Sequence, residues 1–262
     1  MTTPEHTGAR RLRVPVEDLA AGDRPLSQET AVYVARVHRL SVGDTFEAFD
    51  PERALEADAR ITSITSSARA VTVHFDPPRP ANLRAPRPIT LVQSLGKGDK
   101  MDSIVRDATE LGATRILPVI AERTVARPDD PEARVRRWRK IATEAARQSG
   151  RGDTPTITPP EPLLAALATL TTTAPPARGV CLVPGAPSLL GDFLYTLPPG
   201  APFTFVVGPE GGLSPAEITA CEAAGLPAVS LSPLVLRTET VCAAVLGAAL
   251  ILTSRTPARA SD

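Results

Sequence analysis

FTFVVGPEGGL, Phe203 to Leu213, is the stretch that decides how this chain is read. It passes from a short apolar run into a loop holding Gly208, Gly211 and Gly212, with Pro209 among them. Ser214, Pro215, Ala216 and Glu217 follow and spell a helix start. Ser214 is placed as N-cap, Pro215 at the first helical position, and Glu217 as the acid that reaches back in a capping box. A strand emptying into a glycine loop at a helix N-terminus leaves backbone N–H groups open, and such a place favours polar or anionic ligands. The residues therefore predict a ligand-binding loop of an α/β domain, with the ligand itself left open. A companion stretch, LSPLVLRTET at Leu231 to Thr240, ends in a second apolar helix.

Outward from this centre, strand and helix alternate. Strands are expected at Ile89 to Gln93, Arg115 to Ile120, Gly179 to Val183, Phe203 to Val207 and Ala228 to Leu231. Helices are expected at Gly98 to Leu111, Pro131 to Gln148, Ser214 to Ala224 and Thr240 to Leu252, the first ended by Gly112. Alternation of this kind predicts a mostly parallel sheet covered on both faces. Three late strands run into loops: Pro184-Gly185-Ala186-Pro187, Gly208 to Gly212, and Ser232 to Arg237. Ligands of parallel sheets sit at the carboxyl ends of strands, so these loops either line one pocket or merely terminate their strands. Neither the GxGxxG nor the GxxxxGK[ST] phosphate pattern occurs, which disfavours dinucleotides and nucleoside triphosphates as ligands. In Arg237-Thr238-Glu239-Thr240, a threonine serves as helix N-cap and Glu239 suits the positive helix end. Arg237 stands beside the expected pocket or in a surface ion pair.

The first third reads differently. RLRV, TFEAFD, ARITSIT and AVTVHF are short strand-like pieces, interrupted by one helix near Ser27 to His38, and they predict a small β-barrel. DPPRPANLRAPRP, at Asp76 to Pro88, is too rich in proline for a helix or a central strand and reads as a semi-stiff linker. The expected organisation is a barrel over 1–76, a linker over 77–88 and an α/β domain over 89–262.

Net charge is zero, so the total gives no vote for nucleic acid, and RNA contact by the barrel requires a local patch such as Arg10, Arg11 and Arg13. RVRRWRK, Arg134 to Lys140, is a solvated helix face or a phosphate-binding one, and Trp138 within it packs or stacks. Lysine occurs only at Lys97, Lys100 and Lys140, a bias attributed to base composition. Three scattered cysteines and three scattered histidines form no metal pattern, so reduced core cysteines, no metal and a cytoplasmic protein are expected. Val241 to Leu252 is apolar but too short to cross a bilayer.

GPEGGLSPAEI followed by LRTET and an apolar C-terminal helix resembles the knotted SPOUT class of RNA methyltransferases. More narrowly, the chain is similar to the bacterial 16S ribosomal RNA uracil-N3 methyltransferase family. LVQSLGKGDKMDSIVRDATELGATRILPVIAERTV (Leu91 to Val125) and RWRKIATEAARQSGR (Arg137 to Arg151) support the likeness, as do RRLRV and HRLSVGD near the N-terminus. In the third loop Ser232 replaces a glycine, and Leu234 and Val235 stand where Arg-Ile is common in the family. The resemblance implies a trefoil-knot α/β domain with an N-terminal PUA-like RNA-binding barrel, S-adenosyl-L-methionine as cofactor, and a homodimer packed through the knot. Carried over residue by residue, it implies cofactor contacts from Leu182, Val183, Gly208, Gly211, Gly212, Leu231, Leu236 and Thr238. Arg237 and Glu239 are the implied catalytic pair, and Arg11, Arg137 and Arg151 the candidates for holding 16S rRNA, within the assembled small subunit. The alternatives are another SPOUT enzyme acting on a ribose 2′-OH or guanine N1, and a non-catalytic ribosome-assembly factor.

Overall fold

The computed structural model describes residues 11–65, 67, 69–127, 129–172, 178–198 and 200–253. Arg10, named above for the basic patch, lies outside them. Two compact units result: one takes in the chain up to Arg84 together with Ala146–Thr154, the other takes in Ala85–Ala145 and the chain from Pro155 onward.

The first unit contains β1 (Arg13–Pro15), β2 (Gly22–Pro25), α1 (Gln28–Val32), β3 (Thr45–Asp50), β4 (Leu55–Ile64), β5 (Val71–Phe75) and β6 (Arg79–Pro80). β3, β4 and β5 form an antiparallel meander. β1 joins β3 in parallel, β2 pairs with β5, and β6 with β4, giving the order β1-β3-β4-β5-β2. Period-two alternation aims Phe46, Ala48, Ala57, Ala59, Ile61, Val71, Val73 and Phe75 into one core. The helix expected at 27–38 starts on Ser27, whose side chain accepts from the Thr30 N–H, but residues Tyr33–Val37 widen into a π-helical turn. β6 falls inside the proline-dense segment and is only two residues long, as an edge position allows.

A strap, residues 146–154, completes this unit. The Arg151 carbonyl accepts from Arg13 Nη1 at 2.8 Å, Gly152 N–H donates to the Leu83 carbonyl at 2.8 Å, and Thr154 N–H to that of Pro51 at 3.2 Å. A Cβ on Gly152 would lie 2.1 Å from that of Ala81, so only glycine fits this approach.

The second unit holds β7 (Ile89–Ser94), α2 (Lys100–Glu110), β8 (Arg115–Ile120), α3 (Pro131–Ser149, its last turn counted with the strap), β9 (Thr156–Ile157) and β10 (Glu161–Pro162). It continues with α4 (Leu163–Thr172), β11 (Gly179–Leu182), α5 (Leu190–Thr196), β12 (Phe203–Val207), α6 (Pro215–Ala223), β13 (Ala228–Val229) and α7 (Thr238–Thr253). Every recorded strand pair is parallel, in the order β10-β8-β7-β12-β11-β13, with β9 beside β8. Side chains alternate across the sheet. Phe203, Phe205 and Val207 face a core shared with α2, α3, α5 and α7, while Val206, Val92 and Cys181 face one shared with α4 and α6. The expected doubly covered parallel sheet is thus present. Trp138 packs in the first of these cores, so of its two roles it takes the packing one. No helix among the described residues is long and apolar enough to cross a membrane.

Candidate active site

The strand order reverses between β7 and β12: the chain builds outward from β7 through β8, then returns to fill the other side with β11, β12 and β13. The crevice outside the carboxyl ends at such a reversal is where open α/β sheets bind ligands. Here it is bordered by the ends of β7, β12, β11 and β13, and so by the three loops singled out from the sequence.

The middle loop is built for close approach. Gly212 N–H closes a turn onto the Pro209 carbonyl at 2.8 Å, with Gly212 at φ +71°. A Cβ on Gly208 would sit 3.0 Å from Leu213 Cγ, and one on Gly211 3.2 Å from Arg123 Cβ. The helix start expected at Ser214 is formed. Ser214 Oγ accepts from the Glu217 N–H at 3.4 Å, and Glu217 Oε2 accepts from the Ser214 N–H at 2.9 Å. The second Glu217 oxygen accepts from the Glu122 N–H at 2.7 Å, fixing the β8 loop as well.

The first and third loops are stitched to each other. Leu189 and Ser230 form a parallel bridge, Ser230 N–H donates to the Ser188 carbonyl at 2.8 Å, and Ser230 Oγ to that of Ala186 at 3.0 Å. Val183 N–H donates to the Val229 carbonyl at 2.9 Å. Leu182, Val183, Gly208, Gly211, Gly212 and Leu231 therefore lie at adjoining strand ends, with Leu236 and Thr238 on the loop that enters α7. The backbone groups of Leu231 and Leu236 make no hydrogen bond among the described residues. At the end of β7, Gln93 Oε1 and Ser94 Oγ are buried with no hydrogen-bond partner. Such orphan groups are uncommon inside proteins and mark a place where a ligand can complete the pairing.

Thr238 is buried at the first position of α7. Arg237 is exposed beside it, and its side chain has no ion pair or hydrogen bond among the described residues. Its carbonyl accepts from the Val241 N–H at 2.9 Å and so closes the first helical turn. Glu239 points back across the site: its Oε2 is buried, lacks a hydrogen bond, and lies 3.7 Å from Lys100 Nζ. Lys100 Nζ in turn donates to Glu210 Oε1 at 2.8 Å, an oxygen that also accepts from the Lys97 N–H at 3.3 Å. The Glu210 hydrogen bond, with the charges of both acids, raises the Lys100 pKa. Desolvation pushes the Glu210 carboxyl up, but Lys100 and the backbone donors together hold it below its ordinary value. Arg123 Nη1 donates to the Gly211 carbonyl at 3.0 Å, clamping the same loop from beyond the carboxyl end of β8.

Sequence reasoning missed Lys100 and Arg123 as parts of this site. The scarcity of lysine was a usable signal, because two of the three lysines lie in the loop and turn after β7.

The three arginines singled out for RNA are all ion-paired. Arg11 bonds Asp58, Arg137 holds Asp102 Oδ2 at 2.8 and 2.5 Å, and Arg151 holds Asp153 Oδ2 at 2.7 Å. Arg11 and Arg137 remain partly exposed, whereas the Arg151 side chain is only 4% exposed. Arg13 is buried between Glu47 and the ring of Phe49. Arg137 belongs to the second unit, and Arg11 and Arg151 to the first. A depression of about 280 Å³, lined by Ile120, Glu122, Pro162, Leu163, Leu164, Ala216 and Glu217, contains none of the residues expected to bind cofactor or RNA or to act in catalysis.

Comparison with known proteins places these features in a context. A family model described as RNA methyltransferase domain matches residues 83–250. Ribosomal RNA small subunit methyltransferase E of Mycobacterium bovis is 38% identical over 188 residues, covering 67% of each chain. The protein of the same name from Synechocystis is 31% identical over 88% of this chain and 74% of its own. The crystal structure of a ribosomal RNA small subunit methyltransferase E from Neisseria gonorrhoeae bound to S-adenosyl methionine superposes with a TM-score of 0.81. It is 28% identical, over 93% of this chain and 98% of that one.

Proposed function

The chain belongs to the RNA methyltransferase domain family, and from that premise we propose that it methylates N3 of a uridine in 16S rRNA, with S-adenosyl-L-methionine as methyl donor. The observation that carries this reading is the coincidence of two things at one place. Relatives of the same fold are named for small-subunit rRNA methylation, one of them bound to the cofactor, and the loops at the sheet reversal have the form such a ligand needs.

The residues fit the cofactor. A Cβ at Gly208 or Gly211 would crowd Leu213 or Arg123, and the bare backbone there suits contact through the main chain. Leu231 and Leu236 present unpaired backbone groups of the kind that pair with an adenine edge, with Leu182, Val183, Gly212 and Thr238 around them. When bound, the cofactor supplies an electrophilic methyl group on a sulfonium.

The chain must do the rest. N3 of uracil carries a proton and is a poor nucleophile until that proton leaves, and the resulting negative charge spreads onto the ring carbonyls. Arg237, exposed and without an acidic partner among the described residues, is suited to stabilise that charge. Glu239 accepts the N3 proton, directly or through water, or orients Arg237. Fixing the base in line with the methyl group supplies much of the remaining rate. Arg11 and Arg137, whose guanidinium groups stay partly exposed, are proposed to hold RNA, whereas Arg151, buried and paired with Asp153, belongs to the strap. The substrate is taken as 16S rRNA in the assembled small subunit, and the protein as a cytoplasmic homodimer. Ile251, on the largely apolar α7, is 73% exposed, a side chain that a partner subunit would cover.

Mass spectrometry of nucleosides from 16S rRNA of a deletion strain tests the reading. N3-methyluridine disappears while other modified nucleosides stay. Loss of a 2′-O-methyl nucleotide or of N1-methylguanosine instead assigns a different reaction.

A further inference from the structure

The Lys100 ammonium bridges two parts of the site that lie far from it in sequence. It donates to Glu210 Oε1 in the middle loop at 2.8 Å and lies 3.7 Å from Glu239 Oε2 at the start of α7. Both partners are remote in sequence, 110 residues away for Glu210. Three observations argue against an incidental surface pair.

The first is local cost. Lys100 is the opening residue of α2, where the positive end of the helix disfavours a cation, and Asp99 before it makes no side-chain cap. The second is the space made for it. A Cβ on Gly96 would come within 3.2 Å of both Cβ and Cδ of Lys100, so the glycine clears the path of the lysine stem. The third is chemical type. In a chain whose basic residues are almost all arginine, this position is lysine. A compact ammonium with three rotatable donors can serve two carboxylates from different directions, where a planar guanidinium engages one as a fork. Glu239 Oε2 is buried and has no hydrogen-bond donor, so the ammonium is the cation that offsets its charge in this structure.

We propose that Lys100 is a positioning residue, an ionic latch that holds the Gly208–Gly212 loop and the Arg237–Glu239 segment in a fixed mutual arrangement. The latch rests on the reading of the two segments as cofactor loop and catalytic pair. It makes grip on the methyl donor and alignment of the catalytic side chains depend on one ammonium. Severing the Glu210 side frees the loop alone; removing the ammonium frees both segments.

The test uses the full-length protein with Lys100→Met and Glu210→Gln. Hydrogen exchange without added ligand is expected to quicken about tenfold at 208–213 and 236–241 together in Lys100→Met. In Glu210→Gln it quickens at 208–213 only. In steady-state methylation, the Glu210→Gln loss falls mainly on KM for S-adenosylmethionine. Lys100→Met raises that KM and also lowers kcat about tenfold or more. A melting temperature close to wild type confirms that each variant is folded. Wild-type exchange at 236–241 in Lys100→Met, or a wild-type kcat, overturns the latch. Absence of N3-methyluridine from the wild-type reaction overturns the functional reading instead, and exchange alone then decides the latch.

Discussion

Arg237 carries the heaviest chemical load proposed for any single side chain, and its surroundings make the assignment testable. It is exposed, lacks an acidic partner among the described residues, and adjoins a buried threonine and an acid bridged to Lys100. Removing one preorganised donor from a developing anion typically costs ~100-fold or more in rate. Arg237→Ala is therefore expected to lower kcat by at least about 100-fold. Calorimetry should find S-adenosylmethionine binding nearly unchanged, since the cofactor contacts proposed on this loop do not involve the Arg237 side chain. Near-normal turnover would remove Arg237 from the mechanism. At this scale the sequence was legible where structure is written locally: Ser214 and Glu217 form the capping box that their order implies. Lysine scarcity marks Lys100 in the sequence but not its role, which lies in two acids that only folding brings near it. The pairing of Arg11, Arg137 and Arg151 with Asp58, Asp102 and Asp153 was hidden for the same reason in the first two cases.

At the scale of elements, β11 is the piece on which the site depends most, since it lies between β12 and β13 and feeds the first loop. Its opening residue, Gly179, pairs with Thr204, and a Cβ there would lie 2.0 Å from the Thr204 carbonyl oxygen and 2.7 Å from Leu226 Cδ2. A backbone oxygen inside a parallel ladder cannot swing away as a side chain can. Overpacking of this kind costs roughly 3 kcal/mol, so Gly179→Ala should lower the melting temperature by about 6–12 °C in a calorimetric scan. An unchanged melting temperature would mean that β11 separates from β12 at little cost. Most elements were readable: β8 and β12 fall where periodicity puts them, and α2, α3, α6 and α7 differ from expectation by a few residues at their ends. α4 was overlooked although Leu163, Ala166, Leu167 and Leu170 carry the helical spacing. The alanines, leucines and threonines between them blur the contrast between faces on which such a reading depends. Two-residue strands such as β9 and β10 have no period to detect; they exist because a neighbouring strand supplies partners.

At the scale of the molecule, the first compact unit is discontinuous, and nothing local in the sequence announces it. SGRGDT reads as a plain loop after a helix, yet it supplies Arg13, Leu83 and Pro51 with hydrogen-bond partners. A fragment that stops at Arg84 lacks all three bonds and leaves the buried Arg13 without its carbonyl acceptor. At about 1 kcal/mol per bond, more for the charged one, it should be ~3–5 kcal/mol less stable than the same fragment carrying residues 146–154 on a short linker. Urea midpoints of the two compare them directly, and equal midpoints would make the strap ornamental. The strap also imposes a timetable on synthesis. Arg13 waits 138 residues for Arg151. At ordinary elongation speeds of about 5–20 residues per second, that is roughly 7–28 s during which the N-terminal sheet stands on the ribosome unfinished. The first unit is thus completed only after the opening stretch of the second, Ala85–Ala145, has been translated, and any helper acting on the nascent chain has that interval in which to find it.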